Sequence, residues 1–286
     1  MERFLAQGLV RWLSANLPLL GLCAVLTGVI ILYSPTLDDP FHGDDYVAFV
    51  EFETKSFLAY SEDVVRFQDS NFYWRPLGKI SHRVLYEAVG LDAFAFRLAA
   101  LGTFLATLVG LYAFCLRERF SPAVALGAVV ILGVLPNHVV SVAWVTNTSR
   151  LMAVLFFLTC LLLLQQGGRR RAIYEVVAFA AFIAAVLSDE TALALAPVPI
   201  LYATLLRDAR PRWLPALARI VVYGALVALL VPLQFNHTLD DEARLSFYGL
   251  GPHVITQSWA LVSQLVKDSC IMWQVAQNRG SPWVSL

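Results

Sequence analysis

Residues 98–116 read LAALGTFLATLVGLYAFCL, a run with no charge, bounded by Arg97 and Arg117. A helix crossing the hydrocarbon core of a bilayer needs about 20 apolar residues, and a charge at its centre costs roughly 2.5–3.5 kcal/mol on insertion scales. The stretch therefore reads as a membrane-crossing helix. The composition agrees: 58% of the 286 residues are hydrophobic and 15% charged, with a mean hydropathy of +0.66, whereas an ordinary soluble domain is roughly a quarter charged.

Working outward, comparable runs occupy 17–33, 123–135, 151–164, 172–187, 192–206 and 220–234, with a weaker one from about Val254. The expected fold class is all-α, a polytopic transmembrane helical bundle of about seven to eight spans in a single membrane domain, 1–286. Its parts are a first span at 17–33, an acidic extracytoplasmic loop with an amphipathic helix at 34–92, core spans at 93–235, and an outer loop with an incomplete C-terminal region at 236–286. Arg3 and Arg11 precede the first run and no A-x-A-like cleavage site follows it, so it reads as a retained signal anchor. Between Arg119 and Arg150 the uncharged stretch is too long for one span. Pro136, Asn137 and His138 interrupt it, which places a helix before them and a short surface or re-entrant segment after.

Orientation follows from the arginines. A cytoplasmic N-terminus puts Arg117 and Arg119, Arg169 to Arg171, and Arg207, Arg210, Arg212 and Arg219 in inner connections, as the positive-inside rule requires. The stretch from Ser34 to Arg75 then lies outside with nine acids (Asp38, Asp39, Asp44, Asp45, Glu51, Glu53, Glu62, Asp63, Asp69) against Lys55, Arg66 and Arg75. Asn137 to Arg150, the turn Ser188 to Thr191, and Asn236 to Arg244 share that face. A formal net charge of zero thus conceals an acidic outside and an arginine-lined inside. The expectation is a multi-pass protein with an extracytoplasmic active face, in a bacterial inner membrane or the endoplasmic reticulum.

Several classes drop out. Topology already explains the arginines, so nothing points to nucleic acid. Cys23, Cys115, Cys160 and Cys270 are far apart and show neither metal-ligand spacing nor a disulfide framework. No phosphate-binding glycine loop or nucleophile elbow occurs. Trp12, Trp74, Trp144 and Trp213 fall near span ends and read as an interfacial belt.

Two outer constellations carry chemistry. In DDPFHGDDY, residues 38–46, Pro40 and Phe41 stiffen the approach, Gly43 lets backbone come close, and Tyr46 to Val50 can pack at the interface. That arrangement holds Asp44 and Asp45 near the bilayer surface. Neighbouring residues do not share a face of a helix or strand, so one aspartate would act as a base and the other as its partner. Mutual repulsion raises a carboxylate pKa toward a useful range; the plainer reading is a solvated loop or a weak cation site. In YWRPL, residues 73–77, Pro76 suits a first helical position. Leu77, Ile80, Val84, Ala88 and Leu91 then recur at helical spacing, with Lys79, His82, Arg83 and Tyr86 opposite. This reads as an amphipathic helix on the outer surface. Arg75, Lys79 and Arg83 there can hold a phosphate, or simply snorkel toward anionic lipid.

The acidic loop, then Asn71 to Leu77, Pro136-Asn137-His138 leading to Val142-Ala143-Trp144, Leu151-Met152 before Leu155 to Phe157, and Ser188 to Ala192 running on to Pro197 together resemble the GT-C superfamily of polytopic glycosyltransferases. The likeness covers roughly 17–206. It is greatest to the branch of protein O-mannosyltransferases and transmembrane mannosyltransferases with tetratricopeptide repeats; no such repeats follow here. The resemblance implies transfer of a sugar, with inversion, from a polyprenyl-phosphate-linked donor to a hydroxyl of a protein or glycan acceptor. It implies an aspartate base at Asp44, ahead of Asp45 and then of Asp38-Asp39. Asp189 and Glu190 match the family's later acidic pair, with Asp189 in place of the usual lysine. His138 matches a family histidine, although Val140 stands where a glutamate usually follows, and Arg150 joins the supporting set. No cofactor is required, since a lipid monophosphate donor does not demand a metal, while paired carboxylates can bind Mg²⁺ or Mn²⁺. The competing class is a non-catalytic membrane protein (transporter, flippase or assembly factor) or an inactive fragment. Charges gathered at span ends rather than within spans favour a surface site.

Overall fold

The computed structural model describes residues 2–66, 68, 73–135, 137–166, 170–206 and 213–236, with side chains at all of these except 2–15, 44, 137, 205–206, 213–216 and 231–236. The chain divides into two units, Met1–His237 and Thr238–Leu286, and every described residue lies in the first. The helix expected from Val254, the rest of 237–286, and the inner-loop residues Arg169, Arg207, Arg210 and Arg212 lie outside the described residues.

The described elements are helical: α1 (Glu2–Tyr33), α2 (Gly43–Thr54), α3 (Phe57–Val65), α4 (Pro76–Val89), α5 (Ala93–Arg117), α6 (Pro122–Val134), α7 (Asn137–Ala143), α8 (Thr148–Leu164), α9 (Arg171–Ser188), α10 (Pro197–Leu201) and α11 (Trp213–Asn236). Short 3₁₀ turns lie at Ser34–Asp38, Val145–Asn147 and Glu190–Leu195. Several starts are written in the sequence. The Asp92 carboxylate accepts from the Ala95 amide to open α5, and the Ser121 hydroxyl accepts from Val124 to open α6, with Pro122 at its first position.

Four of these segments are long and apolar enough to cross a membrane: Asn16–Asp38, Ala93–Arg117, Val145–Leu164 and Arg171–Ser188. Their outward side chains are apolar, with Ile31 67% and Val176 68% exposed, the pattern expected of helices solvated by lipid rather than water. Other runs come out differently. α6 has 13 residues, about 20 Å of rise against a hydrocarbon core of about 30 Å. The span expected at 192–206 is not one helix: the 3₁₀ turn, α10 and a π turn at Tyr202–Leu206 divide it. Pro197 and Pro199 remove two amide donors there, so a continuous α ladder cannot form.

Helices α1, α6, α5, α8 and α9 pack side by side in that order. Leu22, Val29, Phe104, Leu108 and Val129 fill the α1–α5–α6 side, while Cys160, Ala178, Phe182, Ala185 and Tyr223 join α8, α9 and α11. A third core lies beyond the ends of the long helices, where Phe49, Phe52, Tyr60, Val64 and Phe96 bury the inner sides of α2 and α3. Phe41 and Phe49 meet there edge to face at 4.5 Å. Within the segment expected as an acidic loop, α2 and α3 therefore close over an aromatic core.

The amphipathic helix begins at Pro76 as the sequence implies, and Leu77 and Ile80 are half-buried, with Ile80 against the third core, but further along the burial reverses. His82 and Arg83 are buried, whereas Val84, Ala88 and Leu91 are exposed. The polar side faces the protein because its partners are there: Arg83 donates to the Phe52 carbonyl and to Glu87, and stacks against Phe52 and Tyr86.

Candidate functional site

The start of α4 is set into the ends of two long helices at Gly78. A Cβ there would lie 2.6 Å from Ser149 Cβ and 3.0 Å from the Ser188 carbonyl oxygen, so only glycine lets this turn approach so closely. The approach places Arg75, just before Pro76, between the start of α8 and the turn that follows α9.

Arg75 is gripped from three sides. Its Nε and one terminal nitrogen each donate to Glu190 at 2.6 Å in a bidentate fork. The same nitrogen lies 3.2 Å from Asp189 Oδ2, and the other donates to Ser149 Oγ at 3.5 Å. The guanidinium also sits 4.6 Å from the Tyr73 ring centre. Burial works against its charge, but the hydrogen bonds and charge of Glu190, with Asp189 behind them, prevail and hold its pKa above the ordinary arginine value. Asp189 is fully buried. Its Oδ1 accepts from the amide and hydroxyl of Thr191, capping the turn, and Arg150 Nε stands 3.7 Å from Oδ2.

Above this network a cavity of about 360 Å³ opens between α2, α3, α4 and the Val145–Asn147 turn, lined by Tyr60, Arg75, Lys79, His82, Trp144 and Arg150 among others. Arg150 is half exposed. His82 is buried and its Nε2 has no hydrogen-bond partner among the described residues, as is true of Trp144 Nε1. Burial, reinforced by the Arg75 charge, pulls the His82 pKa down to about 4, so the ring is neutral at physiological pH. Buried polar atoms are almost always satisfied, and here a ligand in the cavity can satisfy both. The lining offers cations, aromatic faces and neutral hydrogen-bonding groups: it suits an anion attached to a polar, stackable group.

The sequence-derived residues distribute unevenly. Arg75, Lys79 and Arg150 line the cavity, and Asp189 and Glu190 stand behind Arg75. Arg83 does not line it and is tied to Phe52 and Glu87 instead. His138 stacks on Phe104 at 5.1 Å, away from this lining. Trp144, read as part of an interfacial belt, is a cavity wall. The side chain of Asp44, second residue of α2, lies outside the described ones.

Asp45 is fully buried and both its oxygens are used. Oδ2 accepts from the His42 amide at 3.1 Å, closing a capping box at the start of α2, and Oδ1 accepts from the Thr146 amide at 3.0 Å. It ties α2 to the cavity rim. Burial raises its pKa, with the two amides and the charges of His42 and Arg97 pulling the other way. Arg97 is the residue that sequence reading missed: fully buried, it donates to the carbonyls of Asp39, Pro40 and Ala143 and so fixes the path of DDPFHGDDY. Its place at the edge of an uncharged span was the available signal. Among the described residues no three His, Cys, Asp or Glu side chains gather to hold a metal ion.

Comparison with protein-family models, curated proteins and solved structures finds no match for this chain.

Proposed function

We propose that this chain is a polytopic membrane glycosyltransferase that moves a sugar from a polyprenyl-phosphate-linked donor to an acceptor hydroxyl on the extracytoplasmic side, with inversion. The observation that carries the reading is the cavity itself: Arg150 and Lys79 beside the locked Arg75, with Tyr60, Tyr73 and Trp144, at the end of the apolar helix α8. In this reading Arg150 and Lys79 neutralise the lipid phosphate as it departs. Tyr60, Tyr73 and Trp144 offer flat faces and polar edges to a sugar. The base assignment rests on Asp44, because Asp45 would have to release two backbone amides to act. The test is sugar transfer from polyprenyl-phosphate donors by membranes holding the protein. Asp44→Asn and Arg150→Gln should each abolish transfer with expression unchanged, and full transfer by both variants would end the proposal.

One observation supports a second reading. No Asp or Glu is among the described residues that line the cavity. A site that binds a lipid phosphate without a base would belong to a carrier or flippase, which would bind the donor and leave it chemically intact in the same assay.

A further inference from the structure

His82 lines two cavities. The second, of about 420 Å³, lies between α4, α5 and α8, and is walled largely by Leu85, Phe96, Met152, Leu155 and Phe156. No Asp, Glu, Lys or Arg is among the described residues that line it. Its lip includes Val84, Ala88 and Ala99, all exposed, and α5 and α8 belong to segments long and apolar enough to cross a membrane, so this cavity opens where hydrocarbon would surround the chain. One of its buried polar atoms, Thr148 Oγ1, has no hydrogen-bond partner among the described residues, and neither has His82 Nε2 at the junction with the first cavity. A charged chamber and an apolar chamber thus adjoin at one buried imidazole.

We infer that the two cavities hold the two ends of one amphiphile, an isoprenoid or similar long-chain monophosphate ester. Its phosphate end lies by Arg150 and Lys79, its hydrocarbon chain runs between α4, α5 and α8, and His82 hydrogen-bonds it at the junction. The inference rests on the head-group reading above and adds the path of the chain and a binding residue that the sequence placed only on the polar side of a helix. A neutral imidazole suits this position, because a further cation at the junction would draw the phosphate down from Arg150 and Lys79 into the apolar chamber. The hydroxyl of Thr148 gives the first carbons beyond the phosphate a polar neighbour without a charge.

The experiment uses the full chain in lipid nanodiscs, with a C20 isoprenyl monophosphate, the C5 monophosphate of the same head group, and inorganic phosphate as probes, and empty discs as the control. The C20 ester should bind at least about tenfold more tightly than the C5 ester, since the added carbons leave water for an apolar wall. Ala88→Phe and Ala99→Phe should cut that advantage and leave C5 binding unchanged, and His82→Leu should weaken both esters. A C20 monophosphate with a photoreactive terminal carbon should label the Met152–Phe156 region of the wild type, which decides the matter if a filled variant misfolds. Label confined to other helices, or a C20/C5 ratio that neither filled variant alters, overturns the chain path and leaves the head-group reading standing. Absence of C5 binding, or C5 binding that Arg150→Gln leaves intact, overturns the head-group reading and this inference with it. Inorganic phosphate competing as strongly as the C20 ester would reduce the site to one for a free anion and overturn the amphiphile.

Discussion

Arg75→Gln tests the network beneath the cavity. The substitution removes the charge that faces Asp189, which is fully buried, and Glu190, whose side chain is 28% exposed. Breaking a buried pair by deleting one partner costs about 3–5 kcal/mol, because a charge is left without compensation. Two features place the expected loss near the lower end, about 3 kcal/mol: Glu190 can rehydrate, and Arg150 at 3.7 Å retains part of the attraction on Asp189. Glu190→Gln removes the fork but leaves Arg75 facing Asp189, so it should cost about 1.5–2 kcal/mol, the lower part of the roughly 1.5–3 kcal/mol typical of hydrogen bonds to charged groups. Arg75→Lys keeps the charge and loses the bidentate geometry, and should fall between wild type and Arg75→Gln. Thermal unfolding in detergent can be followed by alkylation of the buried thiols Cys115 and Cys160. At roughly 2–4 °C per kcal/mol for a chain of this size, Arg75→Gln should lower Tm by about 10 °C. Arg75→Gln within about 1 °C of wild type would mean that the network behaves like a surface pair. Glu190→Gln costing more than Arg75→Gln would show that Asp189 is not the charge that matters.

Three further predictions follow from the same geometry. Gly78→Ala forces a Cβ to 2.6 Å from Ser149 and 3.0 Å from a backbone carbonyl, so it should destabilise by about 1–3 kcal/mol through overpacking and weaken monophosphate binding by shifting Arg75; the thiol assay and phosphate titration check both. His82 resists protonation in the folded chain while the unfolded chain takes up a proton near pH 6.5. Stability from this group is therefore complete above pH 6.5 and falls as the pH drops toward 4, and His82→Gln should flatten the Tm profile across that window when compared with wild type. Asp45→Asn can accept only one of the two amides that the carboxylate holds, so it should cost about 1–3 kcal/mol for the buried donor left unpaired. Unfolding of Asp45→Asn at the wild-type temperature would show that those two bonds carry little.

Much of the helical frame was legible in the chain. Uncharged runs marked α5, α8, α9 and the apolar part of α1, because a bilayer demands length without charge, and Asp92, Ser121 and Pro76 announced helix starts by their side-chain chemistry. Arg75, Lys79, Arg150, Asp189 and Glu190 were legible as well, since in a chain this apolar the charged residues gather at span ends. The broken stretch at 192–206 had its cause in view at Pro197 and Pro199, but hydropathy outweighed it.

Other features needed the tertiary structure. Asp44 and Asp45 are neighbours of the same type, and only the approach of the Thr146 amide makes Asp45 a structural tie. Periodicity gave α4 two faces correctly and could not say which one meets the protein. In water an apolar face turns inward, whereas beside hydrocarbon it can remain outside, leaving the buried side to polar groups that find partners within the fold. That is why Arg83 became a strut and His82 a cavity wall. The sequence determined which segments are helices and where the cations lie along the chain; their burial and their company were decided by packing at Gly78 and by the carbonyls that Arg97 gathers, contacts between residues too far apart in sequence for any local pattern to encode.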